Sequence, residues 1–155
     1  MHPSPPTDSP PRRPLHLLAG LLLLVATLGS IQSVALAGER LQVVYHVADE
    51  NKVVFALNNI ANHIEGAGGA DQVEIVLVTH GDAVKRFIDI EAVDRVRRAV
   101  AELQQQGVTF EACAKTLELL RFGRDELLDG FIVAEQGGVT RIAELQSQGY
   151  VYLRP

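Results

Sequence analysis

Val73-Glu74-Ile75-Val76-Leu77-Val78-Thr79, running directly into His80-Gly81-Asp82, is the stretch on which the fold turns. The apolar run barely alternates, so both of its faces are expected to be covered, the condition of a strand inside a parallel sheet. Upstream, Leu41-Gln42-Val43-Val44-Tyr45-His46-Val47 is β-branched and aromatic and reads as a first strand. Val53, Leu57, Ile60 and Ile64 then recur at helical spacing until Gly66-Ala67-Gly68-Gly69 ends the pattern. Downstream, Val93, Val96, Val100 and Leu103 form the stripe of a longer helix stopped at Gly107. Val108 to Ala112 reads as a third strand, Lys115 to Phe122 as a short helix and Phe131 to Ala134 as a fourth strand. Thr140 to Gln148 reads as a helix stopped at Gly149, and Tyr150 to Leu153 as a last strand. Strand and helix thus alternate through the chain, which predicts an α/β fold: a mostly parallel five-stranded sheet with helices on both faces.

The opening of the chain is of another kind. Six of the seven prolines fall within the first fourteen positions, mixed with Ser, Thr and the pair Arg12-Arg13, and cannot propagate a helix or strand. Leu15 to Leu28 is apolar apart from His16, Gly20 and Thr27, and Ala35-Leu36-Ala37 ahead of Gly38 supplies small residues of the kind a signal peptidase reads. The pattern predicts a secretory signal peptide over 1–37, cleaved to leave a domain over 38–155. The location expected is periplasmic or secreted, the alternative being a domain anchored by an uncleaved N-terminal helix. Arg12-Arg13 also permits twin-arginine export, although Pro14 fits that signal poorly.

Removing 37 residues from 155 leaves 118, enough for one core without staples. The remaining 12 basic and 18 acidic residues make the domain acidic. Neither a nucleic-acid backbone nor, after cleavage, an anionic membrane surface is an expected partner. A single cysteine excludes an intramolecular disulfide and any Cys-rich metal cage.

Ligands of parallel sheets bind at the carboxyl ends of the strands. The first strand exits at His46-Val47-Ala48-Asp49, the second at His80-Gly81-Asp82, the third at Cys113-Ala114-Lys115-Thr116 and the fourth at Glu135-Gln136-Gly137-Gly138. Cys113 would precede a helix N-terminus, where unpaired N–H groups and Lys115 favour a thiolate. It is therefore either a nucleophile able to take up sulfur as a persulfide or a small buried hydrophobe. Thr116 could cap the helix or hydrogen bond to the sulfur. His46 and His80 could serve as proton-transfer partners or, with Cys113, as ligands of copper or zinc, although no motif fixes ligand geometry and no metal or cofactor is assigned. Asn59 and Asn62, three apart on one helical face, suit a pocket or subunit interface. Gly137-Gly138 could form an anion nest or a tight turn, without the flanking pattern of a nucleotide site.

Several of these stretches together carry a resemblance. They are the strand ending in His46, the helix Leu57-Asn58-Asn59-Ile60-Ala61-Asn62, the run Val78-Thr79-His80-Gly81, the stretch from Gly107 through Cys113-Ala114-Lys115-Thr116-Leu117, and the ending from Gln146 to Pro155. The chain resembles the DsrE/DsrF-like family, and most nearly its small single-domain branch with a Cys before a Thr-Leu pair. The resemblance implies a three-layer α/β/α sandwich and assembly of the chain with itself into trimers or hexamers. In the sulfur-oxidation and Tus sulfur-relay relatives, it further implies a persulfide carried on a cysteine and passed between donor and acceptor proteins. Cys113 is the residue to which that role transfers. The leader is a departure from the cytoplasmic relay relatives and points to inorganic sulfur compounds such as thiosulfate or polysulfide. The alternative implied by the same fold is a non-catalytic oligomeric module that binds a small molecule or metal.

Overall fold

The computed structural model describes residues 40–155. The expected leader and its cleavage site lie outside the described residues. Five strands, β1 (Leu41–Val47), β2 (Val73–Thr79), β3 (Thr109–Cys113), β4 (Phe131–Ala134) and β5 (Val151–Leu153), form one sheet in the order β4-β3-β2-β1-β5. Every neighbouring pair is parallel. The helices are α1 (Val53–Gly66), α2 (Asp94–Gln105), α3 (Ala114–Leu120) and α4 (Gly138–Ser147), with short 3₁₀ segments at Glu50–Lys52, Gly81–Phe87 and Arg124–Glu126.

The order explains the layering. From β1 to β4 the chain steps steadily toward one edge, so right-handed crossovers place α1, α2 and α3 on one face. Between β4 and β5 it returns across the whole sheet, and the same handedness puts α4 on the other face. Side-chain alternation matches this division. Val43, Tyr45, Val47, Ile75, Leu77, Phe110 and Ala112 join the main core with Leu57 and Ile60 of α1, Val96 and Val100 of α2 and Leu117 of α3. Val44, Val76 and Val78 point the other way and meet Ile142 and Leu145 of α4 in a smaller core. The sheet is therefore covered on both faces, the α/β/α arrangement expected from the alternation.

The expected elements shift only at their ends. The stripe of α1 is buried as expected at Val53, Leu57, Ile60 and Ile64, but Val93 precedes α2 as its N-cap and is half exposed. The third strand runs one residue further than its pattern indicated and ends on Cys113, and the last helix starts at Gly138 rather than Thr140. The 3₁₀ segment Gly81–Phe87 carries no periodic stripe and was not foreseen; its Ala83, Val84 and Phe87 are buried. Among the described residues no helix is long and apolar enough to cross a membrane.

Candidate functional site

The site lies where neighbouring strands send their connections to opposite faces, which opens a crevice at the carboxyl edge of the sheet. Here those neighbours are β3, followed by α3, and β4, followed by α4. Cys113 ends β3 and is paired with Ala134 at the end of β4. It is also the N-cap of α3. Its side chain falls on the α4 face, because Phe110 and Ala112 take the other one. The N-termini of two helices, α3 and α4, thus converge on one sulfur.

Gly138 shows how closely α4 approaches. A Cβ there would lie 3.2 Å from the Cβ of Cys113 and 3.3 Å from that of His80, so only glycine fits without displacing a strand end. Its main-chain N–H, with those of Lys115 and Thr116 and the Thr116 hydroxyl, favours the Cys113 thiolate by hydrogen bonding. Burial of the thiol raises its pKa, but these donors together outweigh it and leave the pKa below the ordinary thiol value. The thiol is buried, with the residue 6% exposed.

Thr116 is held for this task. Its Oγ1 accepts the main-chain N–H of Gly81 at 3.1 Å, which frees the hydroxyl proton for the sulfur. Gly81 itself has φ +59°, and a Cβ there would stand 3.1 Å from the carbonyl oxygen of Ala48. That combination of left-handed backbone and crowding again selects glycine.

His46 and His80 come together on the same face. Their Nε2 atoms are 2.7 Å apart and their rings stack at 4.6 Å, while the Nδ1 of His46 lies 2.7 Å from the hydroxyl of Tyr152 on β5. Two nitrogens that close share a single proton, so at least one ring is neutral. Burial lowers the pKa of His46 to about 4, with help from His80 and from the positive charge of Arg154. Burial and Arg154 likewise lower that of His80. Both imidazoles are neutral near pH 7 and make an uncharged hydrogen-bonded chain from Tyr152 to His80, whose Cβ packs on Gly138 beside Cys113.

The other expected residues fall as follows. The Lys115 ammonium reaches outward to Glu118 at 3.4 Å and is exposed, so Lys115 acts on the sulfur through its main-chain N–H rather than through its side-chain charge. Gly137, with φ +94°, is the N-cap of α4 and turns the chain so that Gly138 faces the sulfur. Asn59 and Asn62 are on α1, on the far face of the sheet from α4, and do not meet Cys113. Asn59 lines a cavity of about 310 Å³ with Tyr45, Leu153, Arg154 and Pro155, and Asn62 is exposed. Among the described residues no group of three or more His, Cys, Asp or Glu side chains is gathered as a metal site. Sequence reasoning missed Tyr152 and the pair Glu111 and Arg141, and gave Gly81 no role beyond its place at the exit of the second strand. Glu111 alone left a signal, as a carboxylate at a buried position within an apolar strand.

The fold and site define a parallel α/β protein with a donor-lined thiol at the crevice of its sheet. The DsrE/DsrF-like family model matches residues 42–155, and the chain belongs to that family. It is 31% identical to a protein of unknown function, MTH1491, from Methanobacterium thermoautotrophicum, with a TM-score of 0.66 over 74% of this chain and 99% of that one. The fold is shared with the ychN protein from E. coli, at 15% identity and TM-score 0.59, over 76% of this chain and 100% of that one. It is shared also with BT1422 from Bacteroides thetaiotaomicron, at 20% identity and TM-score 0.58, over 74% and 94%. No curated protein matches the chain.

Proposed function

We propose that the protein is an exported sulfur carrier that holds sulfane sulfur as a persulfide on Cys113. The observation that carries this reading is the meeting of two helix N-termini at the buried Cys113, which caps α3 and packs against Gly138 at the start of α4, an arrangement suited to stabilising an anion there. Membership of a family associated with sulfur relay in general supports it. In the loading step the Cys113 thiolate attacks the outer sulfur of a donor persulfide or polysulfide. A new S–S bond forms at Cys113, the donor's S–S bond breaks, and the donor's inner sulfur leaves with the electron pair as a thiolate. In unloading, an acceptor thiolate attacks the outer sulfur and Cys113 leaves as the thiolate. No net oxidation occurs in either step. The donors that hold the Cys113 thiolate also favour it as the leaving group. On this reading His80, whose Cβ packs on Gly138 beside Cys113, exchanges a proton with an incoming thiol, with His46 and Tyr152 behind it.

On this reading the protein works as a component between a sulfur donor and an acceptor protein rather than as a stand-alone enzyme. The leader pattern supports a location in the periplasm or outside the cell. Self-association into trimers or hexamers belongs to the same proposal, and the exposed Val139, Val151 and Tyr152 offer apolar surface for it.

The test is the intact mass of the purified protein without reductant, before and after brief exposure to polysulfide, beside Cys113→Ala. Addition of one or more sulfur atoms to the wild type alone is expected. A folded wild type that adds none overturns the carrier reading. The second reading, a non-catalytic binding module of the same fold, is favoured by the low exposure of Cys113. It requires a thiol that resists alkylation in the native protein and reacts only after unfolding.

A further inference from the structure

Beneath α4 lies a charged contact that the site does not use directly. Glu111, 3% exposed, is bound by the guanidinium of Arg141 through two bonds, Nε to Oε2 at 2.8 Å and Nη2 to Oε1 at 2.9 Å. An ion pair of this kind is a weak stabiliser, since desolvation of both charges offsets most of their attraction, and apolar side chains of similar volume serve stability as well. What the two-pronged contact adds is geometry. The apolar contact between α4 and the sheet is small and undirected, consisting of Ile142 and Leu145 against Val44, Val76 and Val78.

The positions of the two residues show what is being aligned. Glu111 stands two residues before Cys113 on the same face of β3, and Arg141 stands one helical turn after Gly138 on α4. The main-chain N–H of Arg141 also bonds to the carbonyl of Gly137 at 3.0 Å, so the side chain that grips β3 belongs to the same turn that meets the sulfur.

We propose that Glu111 and Arg141 are positioning residues that lock the first turn of α4 to β3 and thereby keep the Gly138 N–H on the Cys113 sulfur. The proposal rests on Cys113 being the reacting group of the site. Its test reads the thiol itself, so failure of sulfur loading and failure of the clamp are separate results.

The experiment titrates the thiolate of the full chain by ultraviolet absorbance, and independently by the pH dependence of alkylation, in wild type, Arg141→Lys and the double variant Glu111→Leu with Arg141→Met. The double variant removes no net charge, so a change in its titration reports on alignment rather than on a lost cation. Its apolar pair is of the kind that keeps proteins folded. The expected result is an upward shift of the thiol midpoint by about 0.5 to 1 pH unit, which is about three- to tenfold less thiolate below the midpoint. Arg141→Lys, which keeps the charge and loses the fork, is expected to shift the same way by less. Circular dichroism like that of the wild type accompanies both. A folded variant of either kind whose thiol titrates with the wild type overturns the proposal.

Discussion

Acid should weaken this protein through His46, and the amount follows from the site. In the folded state the ring is buried, stacked on His80 and near the charge of Arg154, and its pKa is lowered to about 4 from an ordinary 6.5. At pH 7 the imidazole is neutral in folded and unfolded chains alike, so the stability of the buried arrangement is fully present. Between pH 6.5 and 4 the unfolded chain takes up a proton that the folded one refuses, and stability falls as pH falls. At about 1.4 kcal/mol per pH unit across this window, the loss attributable to His46 is at most about 3 kcal/mol. That is a large part of the 5–15 kcal/mol or so that holds an ordinary domain together. The perturbation is His46→Gln, which removes the titrating group and leaves a polar side chain toward Tyr152 and His80. The assay is urea denaturation of both proteins at several pH values from 7 to 4. The two are compared by slope, because the variant starts lower at pH 7 for want of its hydrogen bonds. Wild type is expected to lose up to about 3 kcal/mol more than the variant over the window. Parallel curves would refute the reasoning, since they would mean that His46 takes up its proton as easily in the folded protein as in the unfolded chain.

Two further outcomes follow from the glycines that let the backbone approach the sulfur. Gly138→Ala gains some helix propensity but sets a Cβ at 3.2 and 3.3 Å from atoms fixed to the strand ends. Overpacking should prevail with a net loss of about 1 kcal/mol in thermal denaturation and a higher thiol midpoint in alkylation; unchanged values for both would show that α4 is free to move aside. Gly81→Ala forces a left-handed residue against the Ala48 carbonyl and disturbs the N–H that holds Thr116. A loss of about 1 to 3 kcal/mol by urea denaturation is expected, and a variant as stable as wild type would count against that strain.

The layers of the fold were legible because burial writes itself into periodicity. Val73 to Thr79 had to be covered on both faces, and the stripes of α1 and α2 had to face inward. The edge that gathers His46, His80 and Cys113 was legible for a related reason, since in a parallel sheet every strand exit lies on one edge. The pairing of His46 with His80 was not, because it depends on β1 and β2 being neighbours in register, with His46 beside Val78 and His80 two residues on. Tyr152 entered only because β5 returns to lie beside β1, a strand order that no local pattern encodes. The side-chain charge of Lys115 turns away from the sulfur for a local reason: on the exposed side of a short helix its ammonium finds Glu118 one turn on.

The donors explain why a motif search stops short at this site. Three of the four groups aimed at Cys113 are main-chain N–H groups, supplied by Gly138, Lys115 and Thr116, and any residue but proline carries that donor. What the sequence specifies is therefore the path of the backbone: a missing side chain at Gly138, a left-handed turn at Gly137 and another at Gly81, and a buried carboxylate at Glu111 that Arg141 can grip. Gly137 caps α4, Gly138 and Arg141 lie in its first turns, Glu111 is on β3 and Gly81 opens a 3₁₀ segment, so each looks like an ordinary structural residue on its own. Substitutions that never touch the thiol should then change its acidity by moving α4 relative to β3, whereas exchanging the Lys115 side chain, whose charge already faces Glu118, should leave the titration of Cys113 nearly where it was.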